Sequence, residues 1–364
     1  MENKFFKRTL LGAAIATAAV AGSANAAIPL AGDAVQFYGQ AAGFMILIDD
    51  ANSENSAGAG IESRIGFRGV VEFEDFGPNF IWQIEGGDAN NGAKSGQLGA
   101  RDTYLGLDFD GVGSFKFGRQ LVAAYNYVDW PHTNPGLGNV FDWNNDIGAG
   151  YQDRADNNFR FDSATFGGFN VQATLSGMEN TTDALVTSIA GSYTKGMVSV
   201  HAGYYNQGEY DAKGPTDVPK WIMGPNGTDI IPNPEYSEDG EVVKEYANNY
   251  AIVGGSLFLD NVTLTAAYKM MEKDSADGKK KQDAVSATAQ YVLDGKWVFK
   301  GGYAMTTDAK FDGVKQKDTS DTAVTARLGY LLPSTYLYID SRNYKMNDNK
   351  DWANSVLIGA EYYF

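Results

Sequence analysis

Apolar and polar residues alternate with a period of two through most of the chain. In the stretch VTLTAAYKM at 262–270, apolar or aromatic side chains occupy every second position, and Thr and Lys fall between them. The same alternation recurs at 168–177, 283–293 and 322–332. A period of two is typical of β-strands with two unlike faces. The pattern predicts an all-β protein but does not say which face is buried.

The number and spacing of these segments indicate a closed barrel. Long connections such as 49–60 and 88–100 alternate with short ones such as 75–78 and 110–112. An even number of antiparallel strands with long loops at one end and tight turns at the other is typical of a transmembrane β-barrel, and closure removes exposed strand edges. We therefore predict an antiparallel transmembrane barrel of sixteen strands near 35–48, 61–74, 79–87, 101–109, 113–122, 157–163, 168–177, 184–194, 197–207, 247–259, 262–271, 283–293, 297–307, 322–332, 334–345 and 352–364.

The first 26 residues have the layout of a cleaved secretory leader. Three basic residues precede an apolar run at 9–22, which is followed by small residues at Ala24 and Ala26. A membrane-spanning helix is the weaker alternative, because the run is shorter than the roughly 20 residues needed to cross a bilayer. We expect a signal peptide at 1–26, removed on export, and one barrel domain at 27–364.

Composition narrows the classes of function. The chain has no cysteine, so an exported protein of this sequence has no disulfide to stabilise it. Removing the expected leader takes three basic residues from 29 and one acidic residue from 45, which leaves 26 and 44 and a net charge of −18. Such an acidic chain is a poor partner for nucleic acid, whose binding needs clustered Lys and Arg. Aromatic residues near many segment ends suit the two interfacial girdles of a membrane barrel.

One segment, 123–157, interrupts the strand pattern for longer than a turn requires. It mixes Trp, His and Phe with five aspartates, two prolines and four glycines. A polar and aromatic connection of this length between compact elements is usually either functional or disordered. Its large apolar side chains favour an ordered path over a flexible linker.

The strand segments resemble the general diffusion porins of Gram-negative bacteria over the whole length that follows the leader. The resemblance implies a homotrimer of sixteen-stranded barrels in the outer membrane, each narrowed by an inward-folded third long loop, which here is 123–157. It also implies that the terminal Phe364 is a signal for insertion into the outer membrane. The matching stretches are SRIGFRG at 63–69, RDTYLGL at 101–107, GSFKFGRQ at 113–120, NNFRFDS at 157–163, LGYLLPSTYLYIDSR at 328–342 and the closing GAEYYF.

Four arginines are candidates for a basic wall at the pore constriction. Strand alternation turns Arg64, Arg68 and Arg160 towards the lumen. The resemblance implies that Arg64, Arg119 and Arg160 form a basic wall facing the third long loop. Arg119 shares a face with two phenylalanines, so it needs a bulge, which Gly118 would permit. Each of these arginines has a second interpretation as a solvated lumen or rim charge without a special role.

The acids facing that wall are expected on the third long loop. Asp129, Asp142 and Asp146 are the candidates, although each also suits a turn or a helix cap. Trp130 and Trp143 could stack on sugar rings, or they could anchor the loop against the barrel wall. The order Asp142, Asn144, Asp146 and Asp153 resembles a calcium loop but lacks its glycine and its final glutamate, so we expect no metal.

An enzymatic function has little support in the sequence. The chain has two histidines and no serine-hydrolase or zinc-protease motif, and His201 beside Ser199 is the one pair that a membrane hydrolase could use. We expect no cofactor. The expected function is passive diffusion of small hydrophilic solutes and ions with mild cation preference, in contact with outer-membrane lipid and lipopolysaccharide. The alternatives are an oligosaccharide-preferring porin and an outer-membrane adhesin or receptor, for which the long loop at 208–246 would be a docking surface.

Overall fold

A computed structural model describes most of the chain. The described residues are 27–50, 54–89, 97–129, 139–143, 145–177, 182–213, 221–223, 230–232, 242–347 and 351–364. The expected leader at 1–26 lies outside them, so its removal stays a prediction.

Sixteen strands of the described residues form one closed antiparallel barrel. Closure is made by the first and last strands, which pair from Gln40 opposite Tyr363 to Asp49 opposite Asn354. The predicted all-β, sixteen-stranded antiparallel barrel is therefore confirmed. The strands are β1 (Val35–Asp49), β2 in two parts (Ser56–Ile61 and Ser63–Val71), β3 (Asn79–Ala89), β4 (Thr103–Phe109), β5 (Gly113–Leu121), β6 (Arg154–Ser163), β7 (Phe169–Ser176), β8 (Val186–Lys195), β9 (Val198–Gln207), β10 (Asn248–Leu259), β11 (Val262–Ser275), β12 (Gly278–Leu293), β13 (Trp297–Thr306), β14 (Thr322–Leu332), β15 (Thr335–Lys345) and β16 (Ala353–Tyr363).

Short helices and strands lie in the connections between the barrel strands. Helix α1 (Tyr125–Asp129) and a π-helical turn (Asn139–Trp143) lie between β5 and β6, and a 3-10 turn (Thr182–Ala184) precedes β8. The connection after β9, predicted as an exposed loop, carries two small hairpins. The remaining short strands are Ile28–Ala31, Tyr210–Lys213, Trp221–Met223, Ile230–Pro232, Val242–Glu245, Lys310–Phe311 and Val314–Lys315.

Burial shows which strand face points inwards. On β11, Leu264, Tyr268 and Met270 are exposed, whereas Thr265 and Lys269 between them are buried. A soluble sandwich would bury the apolar face, but here the apolar face is outside and the polar face lines the interior. That is the arrangement of a barrel surrounded by lipid with a polar lumen.

Among the residues that the structure describes, no helix has the length and apolar character needed to cross a membrane.

The hairpin of β11 and β12 is longer than predicted. The sequence indicated strands ending at 271 and starting at 283, but pairing continues to Ser275 opposite Gly278. Most residues of this stretch are charged, so it carries no apolar alternation. Ion pairs support it instead, since Lys281 Nζ lies 2.6 Å from Glu272 and Lys279 also contacts that carboxylate.

Candidate functional site

The described part of 122–153, which we name the crossing segment, leaves β5 and contacts the inner face of distant strands. The Ala123 amide donates to Thr174 Oγ1 on β7 at 3.1 Å, and the Ala124 amide donates to Ser188 Oγ on β8 at 2.8 Å. Both hydroxyl side chains are on the buried face of their strands. Side chains of the lumen wall therefore accept hydrogen bonds from backbone amides that have no partner within the loop.

The apolar side of the crossing segment packs on small side chains of the wall. Val140, Phe141 and Ile147 are completely or almost completely buried. Strands with alanine at an inward position leave room for these large groups, and dispersion contacts hold them there. The wall residues in this cluster include Ile252, Ala267, Ala284, Ala304 and Ala323, which lie on β10 to β14.

Lys269 is the charged centre of this contact. Its side chain is 1% exposed, and its ammonium donates to the carbonyl oxygen of Asp142 at 2.8 Å. The same ammonium lies 5.5 Å from the centroid of the Phe141 ring and 5.9 Å from that of Tyr250. A buried cation needs such partners, because unpaired burial is costly. Lys269 thus fixes the π-helical turn to β11.

The Asp142 carboxyl is turned away from open solvent. It is 7% exposed and accepts a hydrogen bond from the Tyr125 hydroxyl at 2.8 Å. Burial raises the pKa of Asp142 to about 7, with Lys269 opposing the rise. Burial and the nearby Asp129 raise the pKa of Asp153 to about 6. Near neutral pH, both carboxyls therefore bear less charge than ordinary aspartates.

Asp146 joins the crossing segment to the connections of later strands. Its amide donates to Gln282 Oε1 on β12 at 2.7 Å, and its carboxylate accepts from Asn347 at 2.6 Å. The Gln282 amide also donates to the carbonyl oxygens of Thr307 and Thr319 at 2.8 and 3.0 Å. One inward glutamine therefore links the crossing segment to the connection between β13 and β14.

Of the remaining predicted loop residues, the structure describes the side chain of Asp129 only. Asp129 is the last residue of helix α1 and is half-buried. Trp130 and the side chain of Trp143 lie outside the described residues, so their stacking or anchoring roles stay predictions.

On β2, Arg64 and Arg68 lie on the inner face, as alternation predicts. The Arg68 guanidinium sits 4.8 Å from the centroid of the Tyr38 ring. That ring lies flat over Gly66, where a Cβ would come within 2.6 Å of Tyr38 Cζ. The Tyr38 hydroxyl donates to Glu85 at 2.7 Å. Glycine, tyrosine and arginine thus form a layered platform on this wall.

Arg160 is also inward, but it has a carboxylate partner that we did not assign from the sequence. Its guanidinium lies 2.9 Å from Asp162, which Lys116 also contacts at 2.6 Å. Arg160 further donates to the carbonyl oxygen of Leu121 at 3.3 Å, where the crossing segment begins. Arg160 therefore also contacts the end of β5, directly before the crossing segment.

Among the described residues, the contacts of Arg119 do not join it to the inward arginines Arg64, Arg68 and Arg160. A register shift does occur between Gly118 and Gln120, but the extra residue of this bulge lies on the partner strand β6. In the pairing with β4, however, Arg119 stands opposite Thr103 and keeps the face of Phe117. It donates to the Ala100 carbonyl oxygen at 2.8 Å and lies 3.0 Å from Asp156.

A second set of inward cations lies on β13 to β15, and we did not single it out from the sequence. Arg327 binds Asp340 through two nitrogens, at 2.6 and 2.8 Å, and Arg342 contacts the same carboxylate at 2.8 Å. Strand register across the sheet brings these residues together, which is why alternation alone did not find them.

The metal and hydrolase alternatives gain no support from the geometry. Within the described ranges, no group of three His, Cys, Asp or Glu side chains could hold a metal ion. The His201 ring stacks on Tyr127 at 4.7 Å, and Ser199 Oγ lies 2.9 Å from Thr194 Oγ1.

Comparisons with known proteins agree with this architecture. The Gram-negative porin family profile matches residues 13–351. The chain is 33% identical over 383 residues to the chitoporin of Vibrio furnissii, covering 100% of both chains. The trimer form of the outer membrane protein OmpT of Vibrio cholerae superposes with a TM-score of 0.63 at 20% identity, covering 91% of this chain and 99% of that one. The anion-selective porin from Comamonas acidovorans gives 0.65 at 18% identity, with the same coverage of both chains.

Proposed function

We propose, from the premise that this chain belongs to the Gram-negative porin family, that its crossing segment folds into the lumen and sets the width of an outer-membrane channel. The chain forms a porin channel in the outer membrane. Its finer properties, which are the constriction, the selectivity and the preferred solute, are the subject of the proposal.

The observation that carries the proposal is the attachment of the crossing segment to inward side chains of four separate strands. Thr174, Ser188, Lys269 and Gln282 each bond to the segment's backbone. A segment held at these points takes up space beside β7 to β12 and leaves the opening next to the wall that carries Arg64. Small hydrophilic solutes would then diffuse passively between the segment and that wall.

Mild cation preference is proposed from the acidic composition and the loop acids. The formal net charge is −16 for the whole chain. Because burial raises the pKa of Asp142 to about 7, its carboxyl would contribute little negative field, and Asp129 and Asp146 would contribute more. The arginines on the opposite wall oppose this preference.

Reversal potentials in a KCl gradient would test the charge assignment. Replacing Arg64 and Arg119 together by Ala should raise cation selectivity if both face the constriction. An unchanged reversal potential would remove both from it. The single variants would separate the two residues, which matters because Arg119 shares the face of Phe117.

Single-channel recording in planar bilayers would test the channel and its assembly. The OmpT of Vibrio cholerae has been solved in a trimer form, which supports oligomerisation, and a homotrimer is proposed here. A trimer should give current steps in groups of three. Independent single steps would contradict the homotrimer, and no steps at all would contradict an open pore and favour an adhesin or receptor. Lipid and lipopolysaccharide contacts around the trimer are proposed on the same basis.

A sugar-preferring pore is the second candidate, because the relative aligned over the full length is named a chitoporin. Trp130 and Trp143 would be the stacking residues. Chitin oligosaccharides added to the bilayer should then block the current at low concentration, whereas maltodextrins of equal length should not. Equal, weak effects of both sugars would favour the general pore.

A further inference from the structure

On the inner face of β13 to β15, more positive than negative charges stand in one row. Lys300 on β13 lies directly opposite Arg327 on β14, and Arg327 lies directly opposite Asp340 on β15. Like charges directly opposite each other on neighbouring strands are destabilising. A pairing of this kind in a lumen wall calls for an explanation beyond strand stability.

The carboxylates of this wall are already engaged. Asp340 is fully buried and receives both Arg327 and Arg342. Glu361, the next acid along the wall, bonds to the Tyr363 hydroxyl and accepts from Gln40 at 3.2 Å. In the described part of the chain, no carboxylate lies within the 4.0 Å of Lys300 that an ion pair requires.

Arg327 is held in place by two aromatic rings. Arg327 Cζ lies 4.1 Å from the centroid of the Tyr338 ring and 5.6 Å from that of Tyr336. These rings lie over Gly359 and Gly329, where a Cβ would meet them at 2.4 and 2.3 Å. Glycine at both positions lets the rings lie flat against the sheet, so that the guanidinium rests on a firm surface. A fixed charge can bind a ligand without first losing side-chain entropy.

The row also has an open side. The Arg342 side chain is 26% exposed, and Lys300 is half-buried, so both reach solvent in the lumen. The crossing segment packs on Ala304, four residues further along β13 than Lys300. At about 3.3 Å per residue, Lys300 and Arg327 lie roughly 13 Å from that contact, towards the short turns, whereas Arg342 lies roughly 7 Å from it. Lys300 and Arg327 are therefore separate from the proposed constriction, and Arg342 lies between them and the crossing segment.

We propose that Lys300, Arg327 and Arg342 form a subsite for an anionic group, a carboxylate or a phosphate, on a solute that passes through the channel. Such an oxyanion would accept hydrogen bonds from the ammonium and a guanidinium and would offset the repulsion between Lys300 and Arg327. The subsite is compatible with mild cation preference for small ions, because it is local and lies away from the loop acids.

Blocking of single-channel current by glucose 6-phosphate, with glucose as the neutral control, tests the subsite. The wild-type current in KCl should fall with glucose 6-phosphate and not with glucose, and the effect should weaken as salt screens the charge. Lys300→Gln should raise the half-blocking concentration about fivefold, the size expected of one partly exposed charge contact. Lys300→Arg should keep the wild-type value.

Lys296→Gln is the matched control, since it removes the same charge from the exposed turn before β13. An equal shift in Lys296→Gln and Lys300→Gln, or no shift in Lys300→Gln, would overturn the subsite. Arg342→Gln provides a second variant that leaves the Arg327 to Asp340 pair in place and should also weaken the block. KCl conductance measured in every variant separates this outcome from failure of the channel itself.

Discussion

Replacing Asp142 by Asn tests how the crossing segment is seated, because this carboxyl is buried where a charge is costly. The side chain is 7% exposed, and the Tyr125 hydroxyl donates to it at 2.8 Å. Asparagine has nearly the same shape, and its carbonyl oxygen can accept the same hydrogen bond. The substitution therefore removes the titration while keeping the packing.

The expected effect follows from the pKa of Asp142, which burial raises from 3.8 to about 7. Well below pH 3.8 the carboxyl is protonated in both folded and unfolded chains, so it costs nothing, and at pH 4 the cost is still small. As pH rises towards 7, the unfolded chain loses the proton more readily, and the folded state loses stability. A difference of about 3 pKa units corresponds to an upper bound of about 4 kcal/mol above pH 7. Asp142→Asn should thus stabilise the protein at pH 8 by up to that amount and leave it nearly unchanged at pH 4.

Thermal unfolding in detergent micelles, followed by circular dichroism at pH 4 and pH 8, measures this difference. Asp260→Asn is the matched control, since Asp260 lies in the turn between β10 and β11 at φ 44°, a conformation that asparagine tolerates. A variant that is less stable than wild type at pH 8 would refute the reasoning. Its meaning would be that the Asp142 carboxylate is charged and stabilised by Lys269.

Three further substitutions follow from other contacts. Gly359→Ala would place a Cβ 2.4 Å from Tyr338 and should lower the free energy of unfolding by about 1–3 kcal/mol. Gly301→Ala is the control, because a Cβ there would have no atom within 4 Å and should leave the free energy of unfolding unchanged. Chemical denaturation measures both variants. Lys269→Met removes the donor that fixes the crossing segment and should increase open-channel current noise in planar bilayers. Phe364→Ala loses a ring packed against β1 and should reduce the folded fraction seen by heat-shift electrophoresis of membranes.

The strands and their faces were predictable from the sequence, because period-two alternation extends through nearly every one of them. The limits of β10, β13 and β14 agree with the prediction to within one residue. The hairpin of β11 and β12 was not predictable beyond 271, since charged residues on both faces erase the alternation. Its extra pairing depends on ion pairs such as Lys281 with Glu272, which only the register reveals.

The candidate site was predictable in outline. Sequence length and composition marked the crossing segment, and alternation turned Arg64, Arg68 and Arg160 inwards. One pairing could have been found, because Arg160 and Asp162 are two residues apart and share a face. The strands that the crossing segment contacts could not be predicted, because these contacts depend on which strands face each other across the lumen. Its one sequence signal is alanine at inward positions of β11 to β14, where polar residues were expected.

The two arginine platforms explain how this wall keeps charge in the pore without losing its shape. Arg68 rests on Tyr38 over Gly66, and Arg327 rests on Tyr338 over a glycine of the next strand. Arg327 also binds the Asp340 carboxylate through two nitrogens, which cancels part of the field that it exerts on solutes. An aromatic face attracts the cation through its quadrupole and adds no net charge, so position is fixed while the field is kept. We therefore expect the Tyr38 ring to set how strongly Arg68 acts on a passing solute. Tyr38→Phe should preserve the reversal potential, whereas Tyr38→Leu should shift it.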